Sequence, residues 1–191
     1  ITKLNNDGSY IETGAISSGK GNNCQVQAVG HPVNSFYLFE QVYDKDGKPL
    51  EGVYVDQNND GVINDDDRRI HHSKDPKVTM SFSSTFNWKN WDLGFAMHAN
   101  IGNYVYADAM SDHAVVDDCW KNGKLNNLIQ TDYYFNGTVN PSVGIMKSDY
   151  WLRNASFLRC DNITLGHTWP YLLDNKMRLR LYGAVQNPFV I

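Results

Sequence analysis

Val78-Thr79-Met80-Ser81-Phe82-Ser83-Ser84-Thr85-Phe86-Asn87-Trp88, the pair Lys89-Asn90, and Trp91-Asp92-Leu93-Gly94-Phe95-Ala96-Met97-His98-Ala99-Asn100-Ile101 decide the fold. Successive side chains of an extended chain point to opposite faces. Val78, Met80, Phe82, Phe86 and Trp88 therefore share one face, opposite Thr79, Ser81, Ser83, Thr85 and Asn87. Beyond the turn, Trp91, Leu93, Phe95, Met97, Ala99 and Ile101 oppose Asp92, Gly94, Ala96, His98 and Asn100. Each arm is about 11 residues, the length a tilted strand needs to cross a bilayer. A Trp flanks the turn on either side, as in the aromatic girdles of membrane barrels. The inner face of a soluble β-sandwich shows the same alternation. Both homes are open at this point.

The flanking segments separate them. Ser9 to Ile16 and Ser35 to Tyr43 read as strands, with a turn-rich link at Ser17 to Asn23. Asp44 to Pro76 reads as a long polar loop. Gly102 to Tyr150 is a second long excursion, with short helices expected over Ala107–Trp120 and Leu125–Tyr134. Ser156–Thr168 and Met177–Gln186 are the remaining strands, joined through Trp169-Pro170 to Asn175. Short and long connections alternate strictly. Long structureless loops argue against a compact sandwich. They suit an outer-membrane barrel, which has short periplasmic turns and long extracellular loops.

Composition narrows the function classes. The 191 residues carry a net charge of −4, so there is no basic field for nucleic acid. No apolar run is long enough for a transmembrane helix, and barrel strands need none. Cys24, Cys119 and Cys160 have no metal or redox spacing. No Ser lies in a nucleophile elbow, and neither a phosphate cradle nor a His-Glu-x-x-His pattern occurs. Paired carboxylates for glycoside hydrolysis can come from anywhere in a chain, and nothing in the sequence points to a particular pair. His71 and His72 are adjacent, so an extended chain points them apart. The three Asn-x-Ser/Thr triplets (Asn136, Asn154, Asn162) are short enough to arise by chance.

Asp56 to Asp67 fits the twelve-residue EF-hand loop. Asp56, Asn58 and Asp60 supply oxygens at positions 1, 3 and 5, Gly61 makes the turn, and Val62 offers its carbonyl at position 7. Ile63 would anchor the loop in apolar contact, and Asn64 would ligate through water. Asp67 takes position 12, where Glu is usual. The expected ligand set is Asp56, Asn58, Asp60, Val62 and Asp67 around a structural Ca²⁺. An Asx-rich turn without metal is the competing reading. Trp120, Tyr133 and Tyr134 are candidate substrate-stacking aromatics; packing within the loop is the plainer role.

Several segments resemble the C-terminal region of SusC/RagA-type TonB-dependent outer-membrane transporters, in the family's order. Val29-Gly30-His31-Pro32-Val33-Asn34-Ser35-Phe36-Tyr37 resembles its Gly-x-Pro-x-x-Ser-Phe-Tyr segment. Asp46-Gly47 and Gly52-Val53-Tyr54-Val55-Asp56 lead into the Asp/Asn-Gly loop, and Asp75-Pro76-Lys77 precedes a similar strand. Ala155-Ser156-Phe157-Leu158-Arg159-Cys160-Asp161-Asn162-Ile163-Thr164-Leu165-Gly166-His167-Thr168-Trp169-Pro170 is similar to the family signature, with His167 in place of Tyr. Gln186-Asn187-Pro188-Phe189 resembles the closing element, with Pro188 in place of Leu.

The resemblance implies an all-β fold: an antiparallel transmembrane β-barrel segment with long extracellular loops. Residues 1–191 would supply about six strands of a roughly 22-stranded barrel, with plug domain, TonB box and final strands lying elsewhere. It implies import of a glycan or peptide across the outer membrane of a Gram-negative bacterium, with no enzyme activity and no catalytic residues. The implied partners are a SusD-like surface lipoprotein, TonB through the N-terminal region, and membrane lipid or lipopolysaccharide. Ser81, Ser83, Thr85, Asn87, Asp92, His98 and Asn100 would face lumen or plug, with Lys89-Asn90 at the periplasmic rim. The alternative, a secreted calcium-binding carbohydrate-binding β-sandwich, requires Phe82, Phe86, Leu93 and Phe95 to pack in a protein core.

Overall fold

The computed structural model describes residues 1–4, 10–16, 23–112, 119–125, 135, 147–174 and 176–191. The chain divides into two compact units, residues 1–75 with 104–154, and residues 76–103 with 155–191.

The second unit is one four-stranded antiparallel sheet. The first unit supplies six strands before it in sequence: β1 (Tyr10–Ala15), β2 (Asn23–Ala28), β3 (Ser35–Leu38), β4 (Gln41–Tyr43), β5 (Pro49–Tyr54) and β6 (Arg69–Ser73). The sheet itself begins with β7 (Val78–Trp88) and β8 (Trp91–Ile101). These pair over their full length, from Val78↔Ile101 to Trp88↔Trp91. The expected hairpin and its turn are thus present, and Lys89 turns the chain with a left-handed φ of +53°.

The excursion that follows contains β9 (Tyr104–Tyr106), helix α1 (Asp108–Asp112), β10 (Trp120–Lys121), β11 (Lys124–Leu125) and β12 (Leu152–Asn154). The chain then returns to the sheet as β13 (Phe157–Leu172) and β14 (Met177–Val190), giving the order β14-β13-β8-β7. β13 runs further than the expected end at Thr168. Pro170 has no N–H to give, and a register shift between Trp169 and Leu172 carries it near the strand end. A second shift at Asp161 inserts one extra residue between Cys160 and Asn162.

Connectivity gives this sheet a polarity. β7–β8 and β13–β14 are joined by short turns at one end. At the other, Phe157 enters directly opposite Asn100, so the 102–156 excursion leaves and returns between neighbouring strands. Of the about six strands expected in one sheet, four are here; Tyr10–Ala15 and Ser35–Leu38 belong to the other unit. Among the described residues no helix is long and apolar enough to cross a membrane, and strands are the elements with barrel length.

The first unit has its own core. Strand order is β1-β2-β3-β6, with β4-β5 and β12-β9 as separate two-stranded sheets. Cys24, Val26 and Ala28 of β2 alternate inward. Ile16, Cys24, Phe36, Leu38, Tyr106 and Trp151 pack together. Complete burial of a side chain the size of Leu38 or Phe36 stabilises by about 1.5–3 kcal/mol. The Asp44–Pro76 stretch is therefore not one structureless loop: it holds β5, a 3₁₀ turn at Asp65–Asp67, and β6. The helix expected over Ala107–Trp120 is described only as Asp108–Asp112, residues 113–118 lie outside the described set, and Trp120 is in a strand. Leu125 is also in a strand, and the rest of the expected Leu125–Tyr134 helix lies outside the described residues.

Candidate functional site

Three features carry chemistry: the two faces of the β7–β8–β13–β14 sheet, the Asp56–Asp67 loop, and the Trp120 hairpin.

The apolar face of the sheet is exposed. Phe82 and Phe86 are 60% and 59% accessible, and Leu93, Leu165, Leu181 and Val185 are also exposed. Phe95 is half-buried against Phe82, ring centroids 5.6 Å apart. The protein core that a sandwich requires around Phe82, Phe86 and Leu93 is not there: among the described residues no layer covers them. Towards the short turns this face becomes aromatic. Trp88 is 68% exposed, Lys89 Nζ sits 5.1 Å from its ring centroid, and His167 lies between Trp91 and Trp169.

The polar face is cross-linked by side chains. Ser81 lies opposite His98, and Asn87 opposite Asp92, so the polar set expected from the alternation shares one face. Asp92 on β8 receives Arg180 Nε at 3.1 Å and Nη2 at 2.6 Å, from β14 two strands away. The pair crosses β13 at Gly166. A Cβ there would stand 2.6 and 2.7 Å from the Asp92 oxygens and 2.8 Å from Arg180 Nη2. Glycine is thus the residue that leaves room for the bridge. Nearer the long-loop end, the extra residue Asp161 meets His98 Nδ1 at 2.6 Å and Arg159 Nε at 2.9 Å. The alternation placed Asp92 and His98 on this face. Their partners depend on strand register, which the pattern of one strand does not contain.

The Asp56–Asp67 loop is held by its own side chains. Asp56 accepts the N–H of Asn59 at 2.7 Å and of Gly61 at 2.8 Å. Asn58 accepts from Asp60 N, and Asp60 from Val62 N. Asp67 is fully buried and accepts Asn64 N at 2.8 Å and Gln57 N at 2.9 Å. The Asn64 N–H foremost, with the N–H of Gln57 and Asn58, holds its carboxyl below the usual carboxylate range against the opposing effect of burial. Next in sequence, Arg68 is buried, ion-paired to Glu12, and stacked 4.4 Å from the Tyr37 ring centroid. Burial, with Tyr10 beside it, pushes the Tyr37 hydroxyl up to about 12.

Val62 is 60% exposed, and Ile63, expected as an apolar anchor, is 42% exposed. Ile63 does not anchor the loop; the buried Asp67 does. Among the described residues no three His, Cys, Asp or Glu side chains converge as a metal-holding group. Asp56, Asn58, Asp60 and Asp67 share the loop, with backbone N–H groups filling part of their acceptor capacity. Of the stacking candidates, Trp120 is 66% exposed, paired with Leu125 across a two-residue turn. Tyr133 and Tyr134 lie outside the described residues.

Long antiparallel strands, one exposed apolar face, one cross-linked polar face and short turns at one end define a segment of a membrane-type β-barrel wall. No protein-family model matches the chain. TonB-dependent receptor SusC of Bacteroides thetaiotaomicron is 39% identical over 206 residues, covering 100% of this chain and 20% of that protein. TonB-dependent receptor P3 of Formosa agariphila is 24% identical over 189 residues, covering 85% of this chain and 18% of its own length. Among solved structures, the RagAB peptide transporter superposes with a TM-score of 0.72 at 21% identity, over 100% of this chain and 22% of that one. The RagAB peptide importer in its open-open state gives 0.66 at 24% identity, over 100% and 21%. The chain belongs with the SusC/RagA-type TonB-dependent receptors. It spans about a fifth of the length of the curated relatives it matches.

Proposed function

We propose that this chain forms part of the wall and outer loops of a TonB-dependent receptor that imports a glycan or peptide across a Gram-negative outer membrane. The observation that carries this reading is the exposed apolar face of the sheet, set back to back with a polar face whose charges are largely paired. In water such a face is a liability. In a bilayer it is the lipid-facing band, and the polar face borders the lumen. The short turns at Lys89-Asn90 and Leu173–Lys176 then lie at the periplasmic rim, and the 44–76 and 102–156 stretches lie outside the cell. Trp120 is offered there as a stacking surface, with Tyr133 and Tyr134 as its expected companions. Both units would belong to one barrel domain, working with a SusD-like lipoprotein over the mouth and TonB below. The relatives named above are receptors and transporters, and transport by this route needs no catalytic residue in the wall.

The test uses the full-length protein. It should sediment with outer membranes and migrate faster unheated than boiled. Removing its gene should abolish growth on one glycan or peptide source while leaving glucose growth intact. A full-length protein recovered in the soluble fraction would sink the reading.

We also propose that Asp56, Asn58, Asp60, the Val62 carbonyl and Asp67 take up Ca²⁺ as a structural cross-link. Their spacing and the three carboxylates support it. Since backbone N–H groups already hold the loop, the ion would add rigidity to a formed turn. Chelation should expose new protease sites within 44–76, and an unchanged cleavage pattern would count against a bound ion.

A further inference from the structure

Arg178 and Arg180 stand two residues apart on β14, so both guanidinium groups rise from the polar face of the sheet. Two like charges at that spacing repel. One is compensated: Asp92 gives one oxygen to Arg180 Nε and the other to Nη2. Arg178 has no hydrogen bond or ion pair among the described residues. Both arginines line a depression of about 350 Å³ with Asn87, Asn90 and Thr168. Asp92 is the one carboxylate in that lining. Lys89 also borders it, but its ammonium lies over the Trp88 ring. The local balance is cationic in a chain whose net charge is −4.

We propose that this depression is an oxyanion site that takes a single carboxylate. Arg178 supplies the free planar fork, which matches a carboxylate through two parallel N–H bonds. Arg180, oriented by Asp92 across Gly166, supplies the neighbouring positive charge, and Asn87 and Asn90 offer amide donors. Asp92 contributes more than neutralisation: by occupying the fork of Arg180 it leaves Arg178 as the group that selects. The carboxylate comes either from an acidic side chain elsewhere in the full-length receptor or from a solute. The site stands independently of which nutrient is imported.

The experiment labels the full-length receptor in lipid vesicles with phenylglyoxal, which modifies free guanidinium groups, and follows Arg178 by mass spectrometry. Sodium acetate is the probe, with sodium chloride at equal ionic strength as control and Arg69 as an exposed reference. If a solute carboxylate is the ligand, acetate at twice its dissociation constant slows Arg178 labelling about threefold, chloride does not, and Arg69 is unaffected. If the receptor's own carboxylate is the ligand, labelling is slow without acetate and accelerates as salt screens the pair. Labelling of Arg178 that responds to neither acetate nor salt, whatever its rate, overturns the proposal.

Discussion

Placing a lysine at Phe82 tests the membrane reading most directly. Phe82 sits near the middle of the 11-residue strand β7 and points its ring from the exposed apolar face. Eleven residues at about 3.4 Å each, tilted by about 40°, rise close to 28 Å, slightly more than an apolar band of about 25 Å. Phe82 is six residues from Trp88, which converts to about 15 Å of depth, so Trp88 is at the rim when Phe82 is near the midplane. A lysine at the midplane of a barrel's lipid face costs about 2–4 kcal/mol. Losing the tilted Phe82–Phe95 pair adds about 0.5–1.5 kcal/mol. Phe82→Lys should therefore destabilise by about 2.5–5.5 kcal/mol, Phe86→Lys by less, and Trp88→Lys by about 1 kcal/mol or less. Ser83→Lys, one residue along but on the polar face, should fall within about 0.5 kcal/mol of the parent. The assay is urea unfolding of the full-length receptor in phospholipid vesicles, followed by heat-modifiable mobility. Equal costs at Phe82 and Ser83, or a larger cost at Trp88 than at Phe82, would refute the face assignment.

Gly166→Ala should break the Asp92–Arg180 bridge, because the new methyl group occupies its path; the thermal midpoint should fall, and fall much less in an Asp92→Ala background. An equal drop in both backgrounds would show that Gly166 serves the backbone and not the bridge. The Asp67 carboxyl titrates lower folded than unfolded, so its stabilisation is complete above the ordinary value near 3.8 and is lost as pH falls below it. Pepsin cleavage within Asp56–Asp67 should rise steeply in that acid range, and Asp67→Asn should remove the pH step while opening the loop at neutral pH. Leu38→Ala, in the core of the first unit, should cost about 2–5 kcal/mol; hydrogen exchange should quicken in β2 and β3 while β8 and β13 keep their protection.

The sheet was legible where alternation was strong. β7 and β8 show it almost without interruption, and Ser84, opposite Phe95 on the apolar face, is the one lapse. β2 carries the same signal in Cys24, Val26 and Ala28, but it is short and mixed with Gln, too weak to stand out from the turn-rich sequence before it. The split of Ser35–Tyr43 into β3 and β4 was not legible, because the two pieces find partners far apart in sequence, β3 with β2 and β6, β4 with β5. The 44–76 stretch read as loop because its Asp, Asn and Gly content masks strands that end in turns. Of the acidic loop, the oxygen spacing was legible. The burial of Asp67 was not, since it follows from where the 3₁₀ turn docks. The Asp92–Arg180 and His98–Asp161 pairs needed the pairing of three strands, and in the second case one inserted residue.

Asn100 and Phe157 are neighbours across a ladder, yet the 102–156 excursion separates them in the chain. The ladder fixes only where that stretch must leave and return, and closing a longer loop costs little more than closing a shorter one. The stretch behaves as a cartridge clipped into a fixed frame. Its interior can lengthen or shorten without disturbing the hydrogen bonds of β8 and β13, while Tyr106 and Trp151 near its two ends stay committed to the core of the first unit. In the receptor proposed here, a lineage facing a new food source could revise what the outer face touches while inheriting the wall unchanged.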